Sequence, residues 1–264
     1  MRPHWSRCGV PASAALLLLS VAACGDAAPT EVLDAPVSPA PVAGDGPDAR
    51  GDLAARAALA EDKAYAGLYT LDDGGGRQRN VVATIGADGT WKVDVGGGAL
   101  GGSADVSIVS VEAGVYQCTL ASANNPITPS CVRVADPGGR VPRAYDPKVE
   151  RLFRQSLTVF TDRQSALSVT EVRPLAGAQG TCFSIDSISA SLDAPVDVGI
   201  YCYTDDGVLS AARVGFGTIT LVSLATGPAS VPLPGPEAGG EPLRTASPPP
   251  PPVIEPSGAS APAA

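Results

Sequence analysis

The chain's thiols are its most chemically capable side chains. Cys24 follows the run Leu18-Leu19-Ser20-Val21-Ala22-Ala23, which places a nucleophilic sulfur at the end of an apolar segment and two small residues. Cys8 lies within that leading segment, and Cys118, Cys131, Cys182 and Cys202 are spread along the body of the chain. Those four cysteines allow three pairings. Locality favours Cys118 with Cys131 and Cys182 with Cys202, because each pair sits within its own local unit. In an exported protein such bonds persist, and closing each loop stabilises by about 3 kcal/mol in the chain-entropy account. Zinc is the competing use of four thiolates, but no Cys-x-x-Cys knuckle is present, and no metal site is expected.

The lone histidine, His4, precedes the apolar run. Once that leader is removed, no Ser–His–Asp or Cys–His arrangement and no histidine metal ligand can form. Hydrolysis by paired carboxylates is the chemistry left over. The acidic residues are scattered, however, and many adjoin Gly or Pro in turns. The expectation is a protein without catalysis and without a cofactor.

Residues 1–23 have the layout of a secretory signal. Arg2, His4 and Arg7 come first, then an apolar run from Ala12 to Ser20, then Ala22 and Ala23. The run is too short to cross a bilayer as a helix. Its ending resembles the lipobox of bacterial lipoproteins. That resemblance implies that Cys24 carries a thioether-linked diacylglycerol and anchors the protein to the outer face of the cell membrane. Two acyl chains hold far better than one, at roughly 0.8 kcal/mol per buried CH2. The abundance of Ala, Gly, Pro and Asp with little Lys resembles high-GC actinobacterial proteins.

The full chain is net −9; without Arg2 and Arg7, 16 basic residues face 27 acidic ones, or −11. This balance excludes nucleic acid as a partner, since its phosphates reward clustered Lys and Arg. It also excludes a polybasic grip on anionic lipid. Trp91 is the one tryptophan past the leader, so a stacked-ring platform for carbohydrate is not expected.

Residues 24–51 are mostly Ala, Pro, Gly and Asp without periodicity, which predicts a disordered stalk. Residues 235–264, including Pro248–Pro252, predict a second such segment as a proline-rich tail. Residues 52–234 between them are long enough for one core.

Within that domain, Leu53, Ala57, Ala60 and Ala64 recur at helical spacing, predicting a short helix over 52–62. Strands follow at 65–71, 81–85, 91–95, near 104–111, near 114–120 and at 131–134. Asp88-Gly89 marks a hairpin. The glycine-rich stretch 96–102 reads as a loop and lacks the Gly-Lys-Ser/Thr ending of a phosphate-binding one. Residues 146–161 predict the clearest helix. Asp146 caps it, Pro147 takes the first position, and Val149, Leu152, Phe153, Leu157 and Phe160 form one apolar stripe. Further strands are predicted near 167–173, 180–186, 197–203, 208–215 and 217–223, with a turn at Asp205-Asp206-Gly207. That turn has too few oxygen ligands in register for calcium. The fold class is α+β, mainly β: a curved antiparallel sheet over one or two helices.

Five segments occur in an order that carries a further resemblance: Gly114-Val115-Tyr116-Gln117-Cys118, Cys131-Val132-Arg133, the Asp146-Pro147 helix, Gly180-Thr181-Cys182-Phe183, and Tyr201 to Leu209. Together with the lipobox, this order resembles actinobacterial lipoproteins of the LolA-like and LppX/LprG-like group. The resemblance implies a half-open barrel with helices in its mouth and an apolar cavity that binds acylated lipid. Its wall would be drawn from Leu152, Phe153, Leu157 and Phe160 on the helix and from Trp91 and Phe183 on the sheet, with Val82, Val93 and Val198 as weaker members. The alternative is a cell-surface interaction or structural module with a solid core, acting through its sheet face, acidic surface or tail. Neither reading fixes the oligomeric state.

Overall fold

The computed structural model describes residues 48–122, 126–188 and 196–247. All of these fall in one compact unit, Asp45–Ala264. The leader, Cys24 and Pro248–Pro252 lie outside the described residues.

Eleven strands are described: β1 (Tyr65–Asp72), β2 (Gln78–Ile85), β3 (Trp91–Ala99), β4 (Ala104–Val111), β5 (Gly114–Thr119), β6 (Cys131–Ala135), β7 (Leu167–Val172), β8 (Thr181–Ser187), β9 (Gly199–Tyr203), β10 (Leu209–Val214) and β11 (Gly217–Thr226). They form a single antiparallel sheet in the order β6-β5-β4-β3-β2-β1-β11-β10-β9-β8-β7. Chain neighbours are sheet neighbours almost throughout, because short turns favour hairpins. The exception is the pairing of β1 with β11, which runs from Tyr65↔Thr226 to Asp72↔Thr218 and joins the two runs of hairpins. The result is a curved, open, mainly β architecture of the expected class.

One face of the sheet carries the core. On β1, Tyr65, Gly67, Tyr69 and Leu71 point inward and alternate with half-exposed residues. Gly67 is required at its position: a Cβ there would stand 2.6 Å from Tyr69 Cε2. Its bare backbone lets the Tyr69 ring lie along the inner face, where the hydroxyl donates to the Leu209 carbonyl at 3.0 Å. On β2 the inward residues are Val81, Ala83 and Ile85, while Val82 is half-buried on the opposite face.

Two helices cover this face. The first, α1 (Ala49–Asp62), buries Leu53, Ala54, Ala57 and Ala60. It begins three residues before the domain boundary expected at 52, so 49–51 belong to the helix and not to a stalk. It ends before Ala64, whose predicted place on the helical face is lost. Its small side chains let it sit close to the sheet. The β9–β10 turn is packed against its last turn, where a Cβ on Gly207 (φ +86°) would meet Ala60 N at 2.6 Å. Arg56 and Lys63 pair across this contact with Asp205 and Asp206.

The helix expected over 146–161 is in fact two short pieces, a 3-10 turn at Val149–Leu152 and α2 (Gln155–Thr161). Both departures are local. Asp146 accepts from the Lys148 amide at 2.6 Å and Lys148 takes a left-handed backbone, φ 69°, so helical backbone starts only at Val149. Arg154, at φ −134° and ψ −54°, separates the two pieces. The stripe residues nevertheless reach the core.

Two further stretches differ from expectation. Gly96–Gly98 extend β3 and are not loop, and a 3-10 turn follows at Leu100–Gly102. Residues 235–247 are laid along the domain. Glu237 bridges Cys131 on the edge strand β6. The Cys131 amide donates to the Pro236 carbonyl at 2.9 Å, and the Leu100 and Gly101 amides donate to the carbonyls of Arg244 and Thr245. This strap covers the outer edge of β6, which would otherwise present unpaired backbone groups.

Candidate functional site

Five of the six residues expected to line a cavity are closed into the core of the described residues. Leu152, Phe153, Leu157, Phe160 and Phe183 are all buried, none more than 3% exposed, and belong to one continuous core with Leu53, Tyr69, Tyr201 and Tyr203. The rings interlock edge to face. Phe153 meets Tyr69 with centroids 5.0 Å apart, and Phe160 meets Tyr201 at 5.2 Å and Tyr203 at 6.5 Å. Of the weaker members, Val93 is in this core, Val82 faces away from it, and Val198 is 47% exposed.

Trp91 stands apart. It is half-buried at the start of β3 and lines a cleft of about 390 Å³ with Glu61, Ser110, Val115, Arg154 and Thr158. Arg154 donates to the Glu61 carbonyl at 3.2 Å, which ties α2 to the end of α1 above the ring. The cleft joins an aromatic wall to a cation and an anion, a mix suited to a protein side chain.

The cysteines pair Cys118–Cys131 and Cys182–Cys202. Both are cross-strand bonds between direct register partners, on β5–β6 and on β8–β9. All four sulfurs are buried, so they staple the two arms of the sheet and offer no free thiol.

One buried ionisable group was not anticipated. Glu150 is fully buried, and neither carboxylate oxygen has a hydrogen-bond partner among the described residues. Burial, and then the neighbouring Asp146 carboxylate, push its pKa well above the usual range. Asp146 is itself held by the Arg151 guanidinium, which also faces Asp197 at 3.9 Å. Glu150 lies at spacings of three and seven from Phe153 and Leu157, inside the apolar stripe. A carboxylate in that register was the available signal.

The core phenols are likewise kept neutral. Burial pushes Tyr65 up to about 12 and raises Tyr69, Tyr201 and Tyr203 as well. Among the described residues, no three His, Cys, Asp or Glu side chains gather as metal ligands.

No protein-family model and no curated protein matches the chain. Among solved structures it is similar to MucB, at a TM-score of 0.42 and 13% identity, over 76% of this chain and 66% of that one. It is also similar to a chain of the Pseudomonas aeruginosa MucA/MucB complex (TM-score 0.30, 15% identity, 70% of this chain and 59% of that one). A third is MucB in complex with MucA(peri), at 0.26, 13% identity, 74% and 60%. The chain thus spans less than two thirds of the length of each of these three structures.

Proposed function

We propose that this protein is a non-enzymatic interaction module, tethered through Cys24 on the extracytoplasmic face of the cell membrane, that recognises a protein partner through its surface. The observation that carries this reading is the packing of the expected cavity wall. Phe153 and Phe160 are taken up by aromatic contacts and Phe183 is buried in the same core, so the apolar side chains that would hold an acyl chain already have partners. A carrier gains affinity from apolar surface left open for its ligand, and these side chains leave none. The Trp91 cleft supplies a mixed apolar and charged recess where a partner side chain can seat. Two staples and two helices packed on the sheet hold that surface rigid, which lowers the cost of binding. A curved sheet laid over helices supports a relationship to the LolA-like and LppX/LprG-like lipoproteins, with the cavity filled.

Native mass spectrometry of the full-length protein, followed by lipid extraction, tests the reading. A mass with no acyl chain in the core, and no uptake of added free fatty acid beyond the covalent anchor, is the expected result. A non-covalent fatty acid at one per chain would return the function to lipid carriage. Cys24→Ala should move the protein from the membrane fraction to the soluble one.

A further inference from the structure

On an acidic protein, one recess collects basic groups. A pocket of about 480 Å³ lies where the β1–β2 turn, the glycine-rich end of β3 and the start of the 146–161 segment meet. Arg77, Arg79 and Lys148 line it. Arg77 and Arg79 are two residues apart, and both line the same pocket. Lys148 comes from the opposite wall. Two carboxylates share the lining, Asp73 and Asp146. Asp146 is engaged by Arg151, outside the lining, and Asp73 reaches Arg77 only at 3.9 Å. Arg79 donates from Nη1 to the Gly97 carbonyl at 3.0 Å, while its buried Nε has no partner among the described residues.

The backbone around this pocket is unusual. Among the described residues, two non-glycine residues have left-handed φ values, Lys148 at 69° and Leu100 at 51°. Lys148 lines the pocket, and Leu100 sits in its glycine rim between Gly98 and Gly101, which line it too. Such conformations persist only where surrounding structure enforces them, and they collect at ligand sites. Here the Asp146–Lys148 hydrogen bond does so on one wall. On the other, the strap bonds from Leu100 and Gly101 to Arg244 and Thr245 hold the rim.

We infer that this pocket binds a phosphoryl group, held between the Arg77 and Arg79 guanidiniums on one side and the Lys148 ammonium on the other. Asp73 accepts from the Gly75 amide at 2.9 Å, and three cations against that one carboxylate favour a multiply charged anion. Planar Arg forks suit phosphoryl oxygens, and Lys adds a point charge. The source is a soluble phosphorylated small molecule or a phospholipid headgroup; both present the same group. The inference is independent of the interaction reading, since neither the core nor the Trp91 cleft takes part.

Calorimetric titration of the full-length protein at low ionic strength is the test, with inorganic phosphate and then glycerol phosphate as probes. Saturable binding at one site is expected. It should weaken at least tenfold in Arg77→Gln and in Lys148→Gln. Both are exposed positions whose loss spares the core. Arg163→Gln, outside the pocket, should bind as the parent does. Flotation of the unanchored Cys24→Ala protein with phosphatidylglycerol vesicles separates the sources: binding to free phosphates assigns a soluble ligand, and Arg77-dependent binding to vesicles alone assigns a headgroup. No binding by either probe form, or wild-type binding in both variants, would overturn the site. Tighter binding of succinate than of phosphate would overturn the phosphoryl assignment.

Discussion

Phe160 stands edge-on to Tyr201, with ring centroids 5.2 Å apart and planes at 82°. The contact joins α2 to β9, so the helix and the sheet share one aromatic cluster at their seam. Because Phe160 also meets Tyr203, no smaller side chain can fill its place without a void.

Phe160→Ala should therefore destabilise the fold by about 3–5 kcal/mol, the usual cost of a buried Phe-to-Ala change. In a domain of this size that lowers Tm by roughly 6–20 °C. Urea unfolding followed by tryptophan fluorescence reads it out. A loss under about 1 kcal/mol would mean that the seam is loosely packed and has room for a ligand after all.

Strand positions were legible because period-2 patterning and turn residues agreed along the chain, whereas the pairing of β1 with β11 was not. Each of the eleven strands lies within a few residues of its expected place. The disulfides followed from locality, since cysteines on neighbouring antiparallel strands meet in register. The phase of β2 was not legible. Val81-Val82-Ala83 is apolar on both faces, and a shift of one residue turns Val82 from core to surface. The late start and the break of the 146–161 helix were hidden as well. Asp146-Pro147 is a good helix start by composition, and only the backbones of Lys148 and Arg154 show where the chain turns. The strap over 235–247 could not be read from its Pro- and Gly-rich composition, because it is held largely by backbone hydrogen bonds. The phosphoryl pocket escaped for a related reason. Its cations come from distant segments, and the glycine motif beside them has no sequence signature of its own.

Glu150 gives the protein a pH dependence of definite sign. Its folded pKa is raised above the unfolded value, so the folded state holds a proton that the unfolded state releases. Stability from this group is fully present below the ordinary carboxyl range, near 4.5. It is lost as pH rises from there through the folded value. Glu150→Gln keeps the shape of the protonated side chain and removes the titration. The variant should match the parent at pH 4 and exceed it at pH 8 by at least several degrees in Tm. A constant difference across that range would show that burial of the charge is not what governs the site.

Gln117 ties the strap to the sheet. Its amide nitrogen donates to the carbonyls of Tyr145 and Leu243 at 3.0 and 2.8 Å, and its amide oxygen accepts from the Leu243 backbone at 2.6 Å. Gln117→Ala leaves these part-buried backbone groups without their side-chain partner, at up to about 1–3 kcal/mol for each group that water does not reach. Local opening of the strap should follow before global unfolding. Limited proteolysis should cut near Arg244 faster in the variant, while the near-UV circular dichroism of the core stays unchanged. Equal cleavage rates would place the strap's stability elsewhere, in the pairing of Cys131 with Pro236 and Ala238.

Lys148→Gly separates stability from binding at one position. A left-handed lysine costs about 1–2 kcal/mol relative to its preferred backbone. Glycine removes that cost but gives back about 0.5–1 kcal/mol in unfolded-chain entropy. The variant should be more stable by a few tenths of a kcal/mol to about 1 kcal/mol, a rise in Tm of up to roughly 4 °C. Phosphate should raise the Tm of the parent, as any ligand of the folded state does, and should leave that of Lys148→Gly nearly unmoved. A variant that is both more stable and insensitive to phosphate is the pattern of a strained residue kept for its charge. A variant that loses stability would mean that the Lys148 side chain contributes packing that outweighs the backbone strain at φ 69°.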